Sequence, residues 1–287
     1  VNLFLTGSEV LAMALHTLAE HLSERFGGTA TRHSTRSAKI DVTGIAAERL
    51  AELHAEVEQS ASDLRFDFAF VKEHQRWDGF SVLASDMDST LITIECIDEI
   101  ADLCGMKAEV SAITEAAMRG EISDFSESLT RRVALLAGAP ESVLQTVYHE
   151  RLQLTPGANA LIGAAKAHRL STLLVSGGFT FFTDRLKARL GIDAAFSNAL
   201  AIRAGKLTGQ IEGPVFGAAD KRDALIDLCR SLDVPTSRAI AIGDGANDLP
   251  MMAAAGLSVA FHAKPKVVAA ADVAIRHGGL DVLLEWL

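Results

Sequence analysis

Cysteine is scarce: Cys96, Cys104 and Cys229 include no C-x-x-C pair and leave one thiol over. That excludes a disulfide scaffold and a cysteine zinc site, and makes a reduced, cytoplasmic setting the expectation. Long apolar runs are missing too. Nothing approaches the ~18 continuous apolar residues of a membrane helix, and the richest stretch, Met251 to Phe261, is broken by Gly256 and Ser258. The start of the chain lacks the basic, apolar and cleavage blocks of a secretory leader, so none is expected. Bases are in deficit, 27 against 37 acids in 287 residues, for a net charge of −10. A nucleic-acid protein needs surplus cations to displace counterions, so that class is disfavoured. An acidic enzyme acting on an anion must instead gather its few cations, and a metal, in one place.

What is present is globular, with 49% apolar and 22% charged residues, a balance that excludes wholesale disorder. The first stretch reads as a small unit of its own, residues 1–76. Asn2 to Thr6 is a strand, Ser8 starts a helix to about Arg25, and Leu11, Leu15, Leu18 and Leu22 share one face of it. Two weak strands, a helix from Ile45 to Gln59 and a strand carrying Phe66, Phe68 and Phe70 complete the order βαββαβ of ferredoxin-like folds. After Trp77-Asp78-Gly79, apolar runs end in carboxylates, hydroxyls or glycines and alternate with helices: Phe80 to Ser85, Leu170 to Ser176, Arg238 to Gly243, Leu257 to Phe261 and Asp272 to Ile275. This alternation predicts a doubly wound parallel sheet with ligands beyond the carboxyl ends of its strands. Two segments interrupt it. Cys96 to about Glu150 reads as a helical insertion, including one helix opening at Pro140, and Ala199 to Gly213 reads as a β-hairpin.

The first run ends in Ser85-Asp86-Met87-Asp88-Ser89-Thr90-Leu91. Carboxylates at i and i+2 share a side of an extended chain, where both ionise cheaply only beside a cation. On its own the pair reads equally as a solvated turn; a calcium loop is excluded because the expected acid and glycine do not follow. The third run ends in Gly243-Asp244-Gly245-Ala246-Asn247-Asp248. Acids converging from two strand ends, with no His or Cys in either loop, describe a Mg²⁺ site rather than a zinc site. Ser176-Gly177-Gly178 offers a hydroxyl and free amides for an anion and reads equally as a helix cap with flexible glycines; Lys221, near another helix start, reads on its own as a solvated lysine. Arg132 shares a helical stripe with Phe125, Leu129 and Leu136, a cation on an otherwise apolar face that must find an anion, either a structural salt-bridge partner or a ligand.

Taken together, the D-x-D-x-T run, the strand-end serine, the lysine and G-D-x-x-x-D resemble the haloacid dehalogenase superfamily of aspartate-nucleophile phosphatases. The likeness covers roughly residues 80–287. It implies a core of residues 77–92 and 156–287, a helical cap of residues 93–155, and, less specifically, an ACT-like N-terminal domain. It also implies Asp86 as the nucleophile and Asp88 as the proton donor and later base. Mg²⁺ would be held by Asp86, the Asp88 carbonyl and Asp244, with Asp248 behind them. Ser176, Gly177, Lys221 and Asn247 would hold phosphate, Arg132 a substrate carboxylate and Glu95 an ammonium. Those charges match O-phosphoserine, so the resemblance implies its hydrolysis in the last step of serine biosynthesis, with no nucleic-acid or membrane partner and a possible homodimer. The rival readings are another small phosphomonoester such as phosphothreonine, phosphoryl transfer to an alcohol, a phospho-acceptor signalling domain, or a P-type ATPase, which lacks its membrane spans here.

Overall fold

A computed structural model describes residues 1–118, 121–122 and 124–287. The chain begins β1 (Asn2–Thr6), α1 (Ala12–Phe26), β2 (Thr29–Arg32), β3 (Ser37–Asp41), α2 (Ala47–Leu64) and β4 (Asp67–Val71). These strands lie in the order β2-β3-β1-β4, each antiparallel to its neighbour. Alternation along β1 sends Leu3 and Leu5 to one side, where they join Leu15, Leu22, Leu53 and Val57 of the two helices in an apolar cluster. Ser8 makes no side-chain cap; a 3₁₀ turn over Glu9–Leu11 precedes α1, which therefore starts later than the sequence suggests.

Next come β5 (Val82–Ser85), α3 (Cys96–Leu103), α4 (Lys107–Met118), α5 (Phe125–Ala134), α6 (Ser142–Thr146), α7 (Ala158–Ala167), β6 (Ser171–Phe179) and α8 (Thr180–Leu190). The chain continues with β7 (Ala194–Arg203), β8 (Lys206–Glu212), α9 (Ala218–Ser231), β9 (Ala239–Gly243), α10 (Leu249–Ala254), β10 (Leu257–Phe261) and β11 (Val273–Ile275). The order β11-β10-β9-β5-β6-β7 is parallel throughout. Both faces are dry, as a parallel sheet requires: Leu83, Leu174, Ile240 and Ile242 fill one cluster, and Val82, Ala84, Leu173, Val175 and Ala241 the other.

The N-terminal unit has its own apolar cluster but not its own sheet. Phe68 of β4 bridges Ala274 of β11 in antiparallel register, so eleven strands form one sheet. Side chains weld the seam. The buried Asp67 carboxylate accepts the N–H groups of Arg276, His277 and Gly278 at 2.6, 3.0 and 2.7 Å. Arg36 pairs with Asp281 and Glu285 at 2.6 and 2.9 Å, and Trp286 Nε1 donates to Thr6 Oγ1 at 3.2 Å.

Helices α3 to α6 form the insertion. Its two connections run side by side: Ile92 bridges Leu154, and Thr93 N donates to Gln153 O at 3.0 Å. Asp124 caps α5 by accepting from Ser126 N at 3.0 Å. Pro140 does not open a helix; it bridges Lys206, and α6 starts at Ser142. The expected hairpin is also longer. β7 begins at Ala194, pairs in parallel with β6 and only then turns antiparallel to β8.

Candidate active site

Strands β9, β5 and β6 are neighbours, and their carboxyl ends deliver Asp244, Asp86 and Ser176 to one edge. Asp86 N still donates to Ile242 O at 3.0 Å, so the ladder holds the backbone where the carboxylate leaves the sheet. The chain then kinks, with Ser89 left-handed at φ 56°, and the buried Thr90 hydroxyl donates to Asp244 Oδ1 at 3.4 Å.

Lys221, on the first turn of α9, is wholly buried. Its Nζ donates to Asp86 Oδ1 at 2.5 Å and Asp248 Oδ1 at 2.7 Å. An ammonium without those partners would cost several kcal/mol, on the order of the residual penalty for any buried ion. Burial opposes its charge, yet Asp248 and Asp86 together hold its pKa above the ordinary lysine value. The carboxylates feel the reverse. Burial foremost, then the charge of Asp248, drives Asp86 well above the usual carboxylate range, with Lys221 opposing. The same two causes push Asp244 up to about 6.

Oxygens of Asp86, Asp244 and Asp248 lie within 4.8 Å of one another. An all-oxygen set with more carboxylates than ammonium groups suits a hard divalent cation. Asp248 already commits one oxygen to Lys221 and the other to Gly245 N–H at 3.0 Å. Asp86 and Asp244 are therefore the carboxylates left to face an ion.

Asp88 is held from two directions. Its Oδ1 accepts from Cys96 N at the start of α3 at 2.9 Å, and its Oδ2 from Ser176 Oγ at 3.2 Å. Ser176 Oγ in turn accepts from Gly178 N at 2.8 Å. Burial outweighs these donors and raises the Asp88 pKa. A Cβ at Gly178 would lie 2.5 Å from Asp88 Oδ2, so any larger residue there would displace the Asp88 carboxylate. On the insertion side, the Phe125 ring covers Gly177: a Cβ there would meet its Cζ at 2.7 Å.

Glu95 and Arg132 form the remaining group. Glu95 is an exposed residue, yet neighbouring protein desolvates its carboxylate. That desolvation first, and then the charge of Asp88, pushes it up to about 8, while Ser89 Oγ donates to it at 2.6 Å. Among the described residues, Arg132 forms no ion pair; its Nε donates to Ser128 O at 3.3 Å. Burial lowers its pKa, against the favourable charges of Asp98, Glu95 and Asp88.

Thus Asp86, Asp88, Ser176, Lys221, Asp244 and Asp248 meet through direct contacts or a shared cation-sized cluster. Gly177, near the carboxyl end of β6, and Asn247, in the turn after β9, stand beside them, partly exposed. Two residues escaped sequence reasoning. Asp98, one turn into α3, has a buried Oδ1 without a hydrogen-bond partner among the described residues and lies in the field of Arg132. Asn198 on β7 holds the Gly177 carbonyl. An i, i+3 acid pair, Glu95 and Asp98, was the available signal for the first; a mid-strand asparagine gave none for the second. A cavity of about 320 Å³ lies elsewhere, between the N-terminal sheet and the C-terminal turn, and contains none of these residues.

A buried aspartate held by lysine at the end of a central parallel strand, beside an acidic cluster, is the arrangement that phosphoryl transfer through an aspartate requires. Residues 80–256 match the haloacid dehalogenase-like hydrolase family, and the chain belongs to it. Among its relatives, a phosphoserine phosphatase of Albidiferax ferrireducens is 57% identical over 214 residues, covering 73% of this chain and 90% of that one. The solved structure of a probable phosphoserine phosphatase from Vibrio cholerae is 39% identical with a TM-score of 0.82, covering 100% of this chain and 86% of that one. A haloacid dehalogenase-family hydrolase from Salmonella enterica has a TM-score of 0.87 at 35% identity, covering 99% and 98% of the two chains.

Proposed function

We propose that the protein hydrolyses O-phosphoserine to serine and phosphate. The observation that carries the substrate assignment is the Arg132 guanidinium, held on the insertion without an ion-pair partner among the described residues and facing the field of Asp98, Glu95 and Asp88. A guanidinium takes a carboxylate bidentately. Glu95 complements an ammonium, whose arrival lowers the raised Glu95 pKa and leaves it ionised. The phosphate then falls to the edge where Ser176, Gly177, Lys221 and Asn247 stand.

In the first step an Asp86 carboxylate oxygen bonds to phosphorus as the bond from phosphorus to the seryl oxygen breaks, and Asp88 gives that oxygen its proton. The raised Asp88 pKa keeps the proton available. In the second step Asp88 takes a proton from water, whose oxygen displaces Asp86 from phosphorus and frees phosphate. Lys221 and the Ser176 hydroxyl stabilise the equatorial charge. A Mg²⁺ ion would be held by Asp86, Asp244 and the Asp88 backbone carbonyl, and would supply Lewis-acid neutralisation of the phosphoryl oxygens. Phe125, packed over Gly177, narrows the approach of bulk water from the insertion side.

Arg132→Ala tests the reading. Phosphate release from phosphoserine should fall about 10- to 100-fold in kcat/KM, the loss of a charged hydrogen-bonded contact, while p-nitrophenyl phosphate hydrolysis changes little. Equal losses on both substrates would return Arg132 to a structural role. We also infer that residues 1–76 are an ACT-like module that binds an amino acid or pairs two chains, supported by the order β2-β3-β1-β4 with both helices on one face. Light scattering with and without serine tests this; a monomer indifferent to serine counts against it.

A further inference from the structure

We infer that Asn198 is the positioning residue that sets the shape of the phosphate cradle, an inference resting on the phosphatase reading above. The argument begins with a fault in the sheet. Val175 of β6 pairs with Phe196 of β7, but the next registered pair is Phe179 with Asn198. Three residues of β6, Ser176, Gly177 and Gly178, thus oppose one of β7. Such a bulge re-aims side chains and strips the bulged peptides of ladder partners.

Asn198, 2% exposed, replaces those partners. Its Nδ2 donates to Gly177 O at 2.9 Å and to Phe216 O at 3.1 Å, and its Oδ1 accepts from Phe216 N at 2.7 Å. The peptide plane between Gly177 and Gly178 is therefore pinned at both ends, its carbonyl by Asn198 and its N–H by Ser176 Oγ at 2.8 Å. That second bond turns the Ser176 hydroxyl hydrogen outward, toward Asp88 Oδ2 at 3.2 Å. Phe216 immediately precedes Gly217, the cap of α9, whose first turn carries Lys221. One buried amide thus joins the two segments that must grip a single phosphate, and fixes their separation. Only a carboxamide offers two donors and an acceptor in this space; aspartate of the same shape lacks both donors.

Asn198→Asp and Asn198→Ser test this in the full chain with Mg²⁺. Displacement of the cradle by an ångström is expected to lower kcat/KM about 10- to 100-fold. The loss should be equal for phosphoserine and p-nitrophenyl phosphate, because both present the same phosphoryl group. Orthovanadate affinity, measured by calorimetry, should weaken by a comparable factor. A merely structural residue would lower the melting temperature and leave vanadate affinity per folded molecule unchanged. Should Asn198→Asp fail to fold, the smaller Asn198→Ser is read in its place. A folded variant with wild-type vanadate affinity and turnover overturns the inference. Vanadate reads the cradle directly, so wild-type protein that binds it yet ignores phosphoserine would refute the substrate assignment without touching the role of Asn198.

Discussion

Metal affinity and pH are linked through Asp244. With a pKa of about 6 in the metal-free protein, about a tenth of its carboxyl groups are ionised at pH 5 and nearly all at pH 8. A cation must displace that proton. Apparent Mg²⁺ affinity should fall about tenfold between pH 8 and pH 5 from this group alone, ~1.4 kcal/mol, and further through Asp86, whose pKa is also raised. The stability effect has a definite sign. Asp244 holds its proton more tightly folded than unfolded, so the metal-free protein loses stability as pH rises from about 4 through 6. The full loss is up to about 3 kcal/mol, reduced by whatever solvent screening reaches the site. Mg²⁺ at a hundred times its Kd restores about 2.7 kcal/mol. Thermal melts followed by circular dichroism, with Mg²⁺ or chelator, should show the larger Mg²⁺ increment at pH 8. Asp244→Asn, which cannot ionise, should show little increment at either pH. An equal rise at both pH values in the wild type, or a full rise in the variant, refutes the linkage.

Two further outcomes are expected. Asp86→Asn preserves shape but removes the nucleophilic charge, so steady-state phosphate release should drop by at least about a thousandfold; near-normal turnover would place the covalent step elsewhere. Asp67→Ala takes the buried carboxylate away from three N–H donors at the seam between β4 and β11, which should cost about 1–3 kcal/mol in urea unfolding. A midpoint within experimental scatter of wild type would mean that the seam contributes little.

The convergence of acids at one sheet edge was legible because they are concentrated in short runs. Asp86 and Asp88 stand two apart at a strand end, Asp244 and Asp248 follow a second strand, and strands that end in polar residues locate themselves. Arg132 was legible for the opposite reason, as a charge out of place on an apolar stripe. Asn198 was not, since its hydrogen bonds reach residues 21 positions earlier and 18 later, and nothing local marks it. The start of β7 was hidden similarly: Ala194-Ala195-Phe196 is too short to declare itself, and the hairpin signal at Ala204-Gly205 drew attention to the second half. Fusion of the two sheets rests on one registered pair, Phe68 with Ala274, and a single long-range bridge leaves no periodic trace. Pro140 misled because its fixed φ suits both a first helical turn and the end of an isolated bridge.

The contact between Phe125 and Gly177 carries a consequence beyond keeping water out. Because the ring occupies the space a β-carbon would claim, a single methyl group at position 177 would act as a doorstop against the ring tip, which must swing aside before the helical roof can settle on the strand ends. How closely Phe125 can approach the strand ends is thus set by an atom that residue 177 does without.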